Sequence, residues 1–195
     1  LPEVLISVDT FRDTVAEAVL DQGAHLVNDI TALRHSPAIA DHVARHGAGL
    51  ALMHSVGFVG DMPHEATYRN VVAEVAGALL DAADTAAGRG VRSILIDPGF
   101  GFGKSVEDNL RLIDHVDRLT ALGRPVMVGV SRKSSIGHAL SDGSAPAAVD
   151  ERLFGSLGAT AVAVLRGASL VRTHDVKATA EMLRVIGRIS AHRIV

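Results

Sequence analysis

Short, nearly unbroken apolar runs alternate along this chain with longer segments of helical periodicity, and that alternation restricts the fold more than any other feature. The runs are VLISV at 4–8, HLVN at 25–28, LALM at 50–53, SILID at 93–97, PVMVGV at 125–130 and SLVRT at 169–173. Continuous apolarity suits strands covered on both faces, as in a parallel sheet flanked by helices, better than the alternation of a half-exposed sheet. Residues 11–22, 36–46, 67–89, 106–121, 152–166 and 175–190 predict helices rich in alanine and leucine. Gly23, Gly47, Gly90, Gly123 and Gly167 each fall just after a predicted helix, where a left-handed C-terminal cap belongs. The pattern gives six strand–helix units and an α/β fold class. At 195 residues a single domain, 1–195, accounts for the chain, and no proline- or serine-rich linker divides it.

Composition narrows the classes of function. Hydrophobic residues make up 48% and charged residues 21%, a globular balance. A formal net charge of -3 gives no global positive field to recruit nucleic acid or an acidic membrane. The absence of cysteine excludes disulfides, thiolate nucleophiles and cysteine metal sites. No apolar stretch reaches the length of a membrane span and no signal peptide opens the chain. The expectation is a cytoplasmic protein whose partners are small molecules, with no nucleic acid and no membrane.

The stretch DPGFGFGKS at 97–105 looks at first like a nucleotide motif. Gly103, Lys104 and Ser105 match the end of a P-loop, but Pro98 stands where the first glycine of that motif is required, with a fixed φ and no amide hydrogen to offer a phosphate. The spacing G-x-G-x-G also lacks the third glycine of a dinucleotide fingerprint.

What ends each strand is more informative. Asp9, Asn28 with Asp29, His54, Asp97, the Ser131–Arg132–Lys133 run, and Arg172 with His174 all lie at or just past a strand's carboxyl end. In parallel α/β folds those ends share one rim, where ligands bind. Helix capping explains an Asp, Asn or Ser taken singly, but arginine, lysine and histidine are poor caps, so it fails as a joint account. Arg172 and His174 are two apart and face the same way on a strand; they make an anion site or, alternatively, an internal ion pair with Asp175. Asp9, Asn28 and Asp97 supply carboxylates and an amide to read the edge of a flat heterocycle, with Lys133 bonding an acceptor on that ring. His25, His35, His42, His46, His64, His115, His138 and His192 show no metal-binding spacing and read as solvated. Ser131 lies in GVSRK, which lacks the closing glycine of a nucleophile elbow, and no covalent triad is evident.

SVDTFRDTVAEAVLDQGAHLVNDI, LMHSVG, DPGFGFGKSVEDNLRLI, VGVSRKSSIG and VRTHDV stand in the order and spacing of dihydropteroate synthase, and over nearly all its length the chain resembles a bacterial member of that family. The resemblance implies a TIM (β/α)8 barrel, of which six units are present and the first two would precede Leu1. It implies condensation of 6-hydroxymethyl-7,8-dihydropterin diphosphate with 4-aminobenzoate, giving 7,8-dihydropteroate and diphosphate. Asp9, Asn28, Asp97 and Lys133 match the pterin-binding set, with Met53 packing on the ring, Ile30 and Phe102 lining the pocket and Gly101 allowing close approach. Arg172 and His174 would hold the diphosphate, and with Lys133 and Asp97 make up the catalytic group. Arg132 and Ser134 match the region that receives aminobenzoate, the molecule sulfonamides mimic.

In this family Mg2+ assists, and the resemblance places its ligand on a loop before Leu1, leaving no metal ligand in this chain. It also implies a homodimer when the protein is complete. On this reading Lys104 is no Walker lysine; DPGFGFGK is a strand-to-helix turn from which Asp97 grips the pterin. Residues 1–195 alone are expected to be inactive and poorly stable. Two rival readings are a pterin-barrel methyltransferase, which needs the Asp9, Asn28 and Asp97 floor but not the Arg172–His174 clamp, and a non-catalytic paralogue.

Overall fold

The computed structural model describes residues 4–57, 66–143 and 145–191. These residues form six strands: β1 (Ser7–Asp9), β2 (Leu26–Asp29), β3 (Gly49–Met53), β4 (Ser93–Asp97), β5 (Met127–Val128) and β6 (Leu170–Val171). The first four form one parallel sheet in chain order, β5 and β6 form a parallel pair, and a bridge between Ile96 and Val126 joins the two groups. Every strand lies beside its predecessor and the order never reverses. That is the progression of a barrel, not of a doubly wound sheet with its switch point.

Among the described residues eight helices cover the strands: α1 (Asp13–Asp21), α2 (Ala38–His46), α3 (Val71–Gly88), α4 (Val106–Asp114), α5 (Val116–Thr120), α6 (Ser134–Ala139), α7 (Leu153–Leu165) and α8 (Val176–Ser190). A 3-10 turn, Val149–Arg152, leads into α7. The core lies between the two layers. Ile39 and Val43 of α2, Val75 and Leu79 of α3 and Leu112 of α4 join Val27, Leu50, Leu52 and Ile96 of the strands in one buried cluster. Each such side chain contributes about 1.5–3 kcal/mol by leaving water.

The elements differ from expectation mainly at their ends. Continuous apolarity does mark buried strands in β2, β3 and β4, but β1 and β6 are largely exposed. Among the described residues both have a strand neighbour on one side only, so VLISV pairs from Ser7 onward and leaves Val4, Leu5 and Ile6 in solvent. The helix predicted over 106–121 breaks at His115, whose backbone leaves helical geometry and whose ring Nδ1 lies 3.0 Å from the Arg111 carbonyl oxygen. The helix predicted from residue 67 begins at Val71, because Asn70 caps it: its side chain accepts from the Ala73 amide at 3.1 Å, while Glu74 accepts from the Asn70 amide at 2.9 Å. All five capping glycines have positive φ. Of the histidines read as solvated, His25 and His46 are exposed and also have partners, His46 with Asp21 at 2.9 Å and His25 Nδ1 with the Ile6 amide at 3.1 Å. His64 and His192 lie outside the described residues.

Candidate active site

Parallel pairing brings the carboxyl ends of all six strands to one rim. The register sets Asp9 beside Asn28 and Met53 beside Asp97. Asn28 donates from Nδ2 to Asp9 Oδ1 at 2.9 Å, and the Arg172 guanidinium donates to the other Asp9 oxygen. A side chain just past the last strand is thereby tied to one on the first. Asn28 is 3% exposed, and its Oδ1 has no partner among the described residues. A buried acceptor left unpaired costs about 1–3 kcal/mol, so this atom is available to a donor from water or from a ligand.

Asp97 is buried, and its Oδ1 accepts the Gly99 amide hydrogen at 2.7 Å. Burial pushes its carboxyl up to about 6, opposed by the Gly99 bond and then by the charges of Lys104, Lys133 and Arg172. Lys133 reaches in from the turn after β5. Its ammonium sits 3.9 Å from the centroid of the Phe102 ring, a cation–π contact. Burial lowers its affinity for a proton, with Asp97 opposing. Gly101, at φ +79, leaves room for the Lys133 stem: a Cβ there would stand 3.1 Å from Lys133 Cδ. His174 is anchored to Ser131, whose Oγ lies 3.2 Å from the His174 amide and 3.1 Å from its ring Nδ1.

Two adjoining cavities open above these groups. One, of about 400 Å3, has Asp9, Phe11, Arg12, Ile30, Phe102 and Arg172 among its walls. The other, of about 290 Å3, is bounded by Gly129, Ser131, Lys133, Arg172, Thr173 and His174. Arg172 belongs to both. The first offers aromatic and apolar walls to a flat ring, and the second concentrates cationic and hydroxyl groups suited to an anion. A roomier cleft of about 580 Å3, lined by Arg69, Arg111, His115 and Arg118 among others, lies between α3 and the α4–α5 segment and holds none of the strand-end residues.

Of the residues singled out from the sequence, Asp9, Ile30, Phe102, Lys133, Arg172 and His174 line these cavities. Asn28, Met53 and Asp97 are buried at the strand ends, and Gly101 adjoins Lys133. Arg132 and Ser134 are not brought into either lining. Arg132 takes a left-handed φ of 58 and gives its guanidinium to Asp175 through two hydrogen bonds, one of 2.9 Å; Ser134 stands exposed as the first residue of α6. The internal pair with Asp175 therefore forms with Arg132, and the partner of Arg172 is Asp9.

Phe11, Arg12 and Asn109 carry no mark of function in the sequence, and the structure gives Lys104 and His54 surroundings that the sequence does not show. Phe11 and Arg12 form part of the ring cavity, and their only signal is that they follow Asp9. Asn109 accepts the Gly101 amide hydrogen at 2.8 Å and donates to the Lys104 and Ser105 carbonyls and to Ser135 Oγ, holding the glycine-rich turn to α4 and α6. Lys104 is buried with its ammonium on three carbonyls. His54 is kept neutral, its ring lowered to about 3 by burial and then by the charges of Lys104 and Arg34. Among the described residues no group of three or more histidine, aspartate or glutamate side chains is arranged to hold a metal ion, and no helix is long and apolar enough to cross a membrane.

Comparison with known proteins places this geometry in context. Residues 1–174 match the family model described as pterin binding enzyme. The chain is 41% identical over 190 residues to the dihydropteroate synthase of Mycobacterium leprae, an alignment covering 94% of this chain and 66% of that protein. It is 38% identical over 186 residues to the Escherichia coli K12 enzyme, covering 94% and 64%. The crystal structure of dihydropteroate synthase from Thermus thermophilus in complex with 4-aminobenzoate matches with a TM-score of 0.87 at 43% identity, over 95% of this chain and 70% of that one. The Xanthomonas albilineans enzyme in complex with 7,8-dihydropteroate matches with a TM-score of 0.86 at 41% identity, over 97% and 68%. The chain thus spans slightly less than two thirds of the length of these curated relatives, and its six strand–helix units are those of a partial barrel.

Proposed function

Since the chain belongs to the dihydropteroate synthase family of pterin-binding enzymes, we propose that the whole protein joins 6-hydroxymethyl-7,8-dihydropterin diphosphate to 4-aminobenzoate, releasing diphosphate and forming 7,8-dihydropteroate. The observation that carries this reading is the buried Oδ1 of Asn28, without a partner among the described residues, set on the same rim as the Asp9 and Asp97 carboxylates and beside a cationic cavity. These acceptors suit the N–H donors of a pterin edge. Solved relatives named as complexes with 4-aminobenzoate, with 6HMPPP and with 7,8-dihydropteroate support the same assignment.

In the proposed reaction Asp97, Asn28 and Asp9 accept hydrogen bonds from the ring, Lys133 donates to a ring acceptor, and Ile30, Met53 and Phe102 provide apolar contact. Gly101 lets the backbone come close. Arg172 and His174 hold the diphosphate, where positive charge stabilises the electrons that arrive as the leaving group departs. The bond between the pterin methylene carbon and the diphosphate oxygen breaks, its electron pair leaving with diphosphate. The aminobenzoate nitrogen then forms the new carbon–nitrogen bond and gives up a proton to water. No step requires a protein nucleophile.

A role for Arg132 and Ser134 toward aminobenzoate rests on their flanking Lys133 in the chain, and it requires Arg132 to exchange its bonds to Asp175 for the substrate. Magnesium would enter with the diphosphate, whose oxygens are its natural ligands; the described residues do not supply a set that fits it. Pairing of two complete chains through the last two helices belongs to the same proposal, supported by the exposed Phe154, Val185 and Ile189, as does a cytoplasmic site of action.

The test is turnover of the two substrates by the full-length protein, with pterin affinity measured for Lys133→Ala. The variant is expected to bind pterin about tenfold more weakly, the worth of one charged hydrogen bond; unchanged affinity would contradict the assignment. A pH series gives a second check. Ring binding needs the Asp97 carboxylate, and its carboxyl titrates at about 6 in the free site. Pterin affinity should therefore be level above that pH and fall about tenfold for each unit below it. Folding responds with the opposite sign: a carboxyl raised from 3.8 to about 6 adds stability that is fully present below 3.8 and lost as pH rises through 6.

A further inference from the structure

Lys104 closes the glycine-rich turn, is 5% exposed, and has no part in the reaction as proposed above. Taking an ammonium out of water costs several kcal/mol unless its surroundings repay it. Here the surroundings are carbonyls. Lys104 Nζ donates to Gly99 O at 2.9 Å, Phe102 O at 3.1 Å and His54 O at 3.3 Å, so all three of its donors are used by backbone oxygens from the end of β3 and from its own turn. Gly99 is the connection to the site: its carbonyl takes Lys104, and its amide holds the Asp97 carboxylate at 2.7 Å.

We propose that Lys104 is a positioning residue for Asp97, fixing the turn that holds its carboxylate and supplying the buried positive charge that keeps it ionised. The first half follows from the hydrogen bonds. The second follows from the surroundings of Asp97, which face three cations: Lys104 from the turn, Lys133 from the turn after β5, and Arg172 from the end of β6. Lys104 leads these charges in opposing the effect of burial on Asp97. Conversely, burial brings Lys104 down to about 7, with Asp97 the main opposing charge and Lys133, Asp108 and Arg34 also facing it. The neighbouring His54 is neutral and adds no charge.

The consequence for ligand binding rests on the reading of Asp97 as a pterin acceptor, but the ionisation of Asp97 can be measured without any ligand. Carbon-13 NMR of the aspartate carboxyls in the full-length protein follows it directly, with Asp97 assigned by the resonance lost in Asp97→Asn. The wild-type midpoint is expected at about 6. Lys104→Met, which removes the charge, should raise it by about one pH unit or more, and Lys104→Arg should leave it near the wild-type value. If the methionine variant does not fold, Lys104→Gln takes its place, since its amide can still donate to the carbonyls while carrying no charge.

A midpoint unmoved in the neutral variants overturns the proposal, because a purely structural lysine would not shift that titration. Pteroic acid binding, followed over the same pH range, separates the two readings. Binding whose acid limb moves with Asp97 supports both. A shifted Asp97 in a protein that binds no pteroic acid upholds the role of Lys104 and overturns the pterin reading.

Discussion

Asp97→Asn in the full-length protein is expected to weaken pterin binding about 100-fold while leaving the fold as stable as before or more so. The affinity loss follows from charge. Hydrogen bonds to an ionised acceptor contribute about 1.5–3 kcal/mol, and about 3 kcal/mol corresponds to roughly two decades in affinity. Geometry compounds it. Asp97 Oδ1 is committed to the Gly99 amide at 2.7 Å, so an asparagine that keeps this bond must turn its NH2 group toward the ring, donor against donor. Stability moves the other way because burial already disfavours the charged carboxyl, and a neutral amide avoids that desolvation. Calorimetric titration with a pterin ligand, together with denaturant unfolding, reads both numbers. Wild-type affinity in a folded variant would remove Asp97 from the ring site.

Gly99→Ala is expected to destabilise the protein by about 3 kcal/mol or more, through strain and a backbone clash together. A Cβ at Gly99 would fall 1.8 Å from the His54 carbonyl oxygen and 2.9 Å from its carbon, with φ at +68. Neither neighbour is the free end of a flexible side chain, so the turn itself must move. Moving it breaks the Gly99–Asp97 bond and the grip of Lys104 on the same carbonyls. Gly23→Ala is the natural control: φ there is +89, but nothing lies within 4 Å of the added methyl. It should cost only the conformational penalty, about 1–2 kcal/mol. Equal losses in urea unfolding of the two variants would show that the clash does not matter.

The sequence revealed the strands that are covered on both sides and blurred those that are not. LALM and SILID read as strands because burial demands apolarity: β3 lies inside the sheet, and β4, at its end, is covered by helices and bridged to β5. VLISV is as apolar, yet only three residues of β1 pair, and SLVRT, with two apolar residues of five, pairs through two. The strand-end residues were legible because a parallel sheet brings them together whatever their separation in the chain, as Asp9 and Arg172 show. Support by hydrogen bonding left no such trace. Asn109 sits among ordinary helix residues, and its bond to Ser135 exists only once α4 and α6 have docked. Lys104 was noticed for the wrong motif, because a P-loop lysine and a lysine that ties its own turn look alike in one dimension.

The join between β4 and β5 gives the molecule a line of weakness. A bridge from Ile96 to Val126 links the four-stranded sheet to the β5–β6 pair. Local opening follows lines where few backbone hydrogen bonds must break, so amides along this seam should exchange with solvent sooner than those of β2 and β3. The candidate site straddles the same line. Asp9, Asn28, Met53 and Asp97 belong to the four-stranded side, and Lys133, Arg172 and His174 to the other. Any ligand that spans both banks acts as a clasp: its binding free energy is spent against opening of the seam, and occupancy slows exchange there by the same factor that it stabilises the closed form.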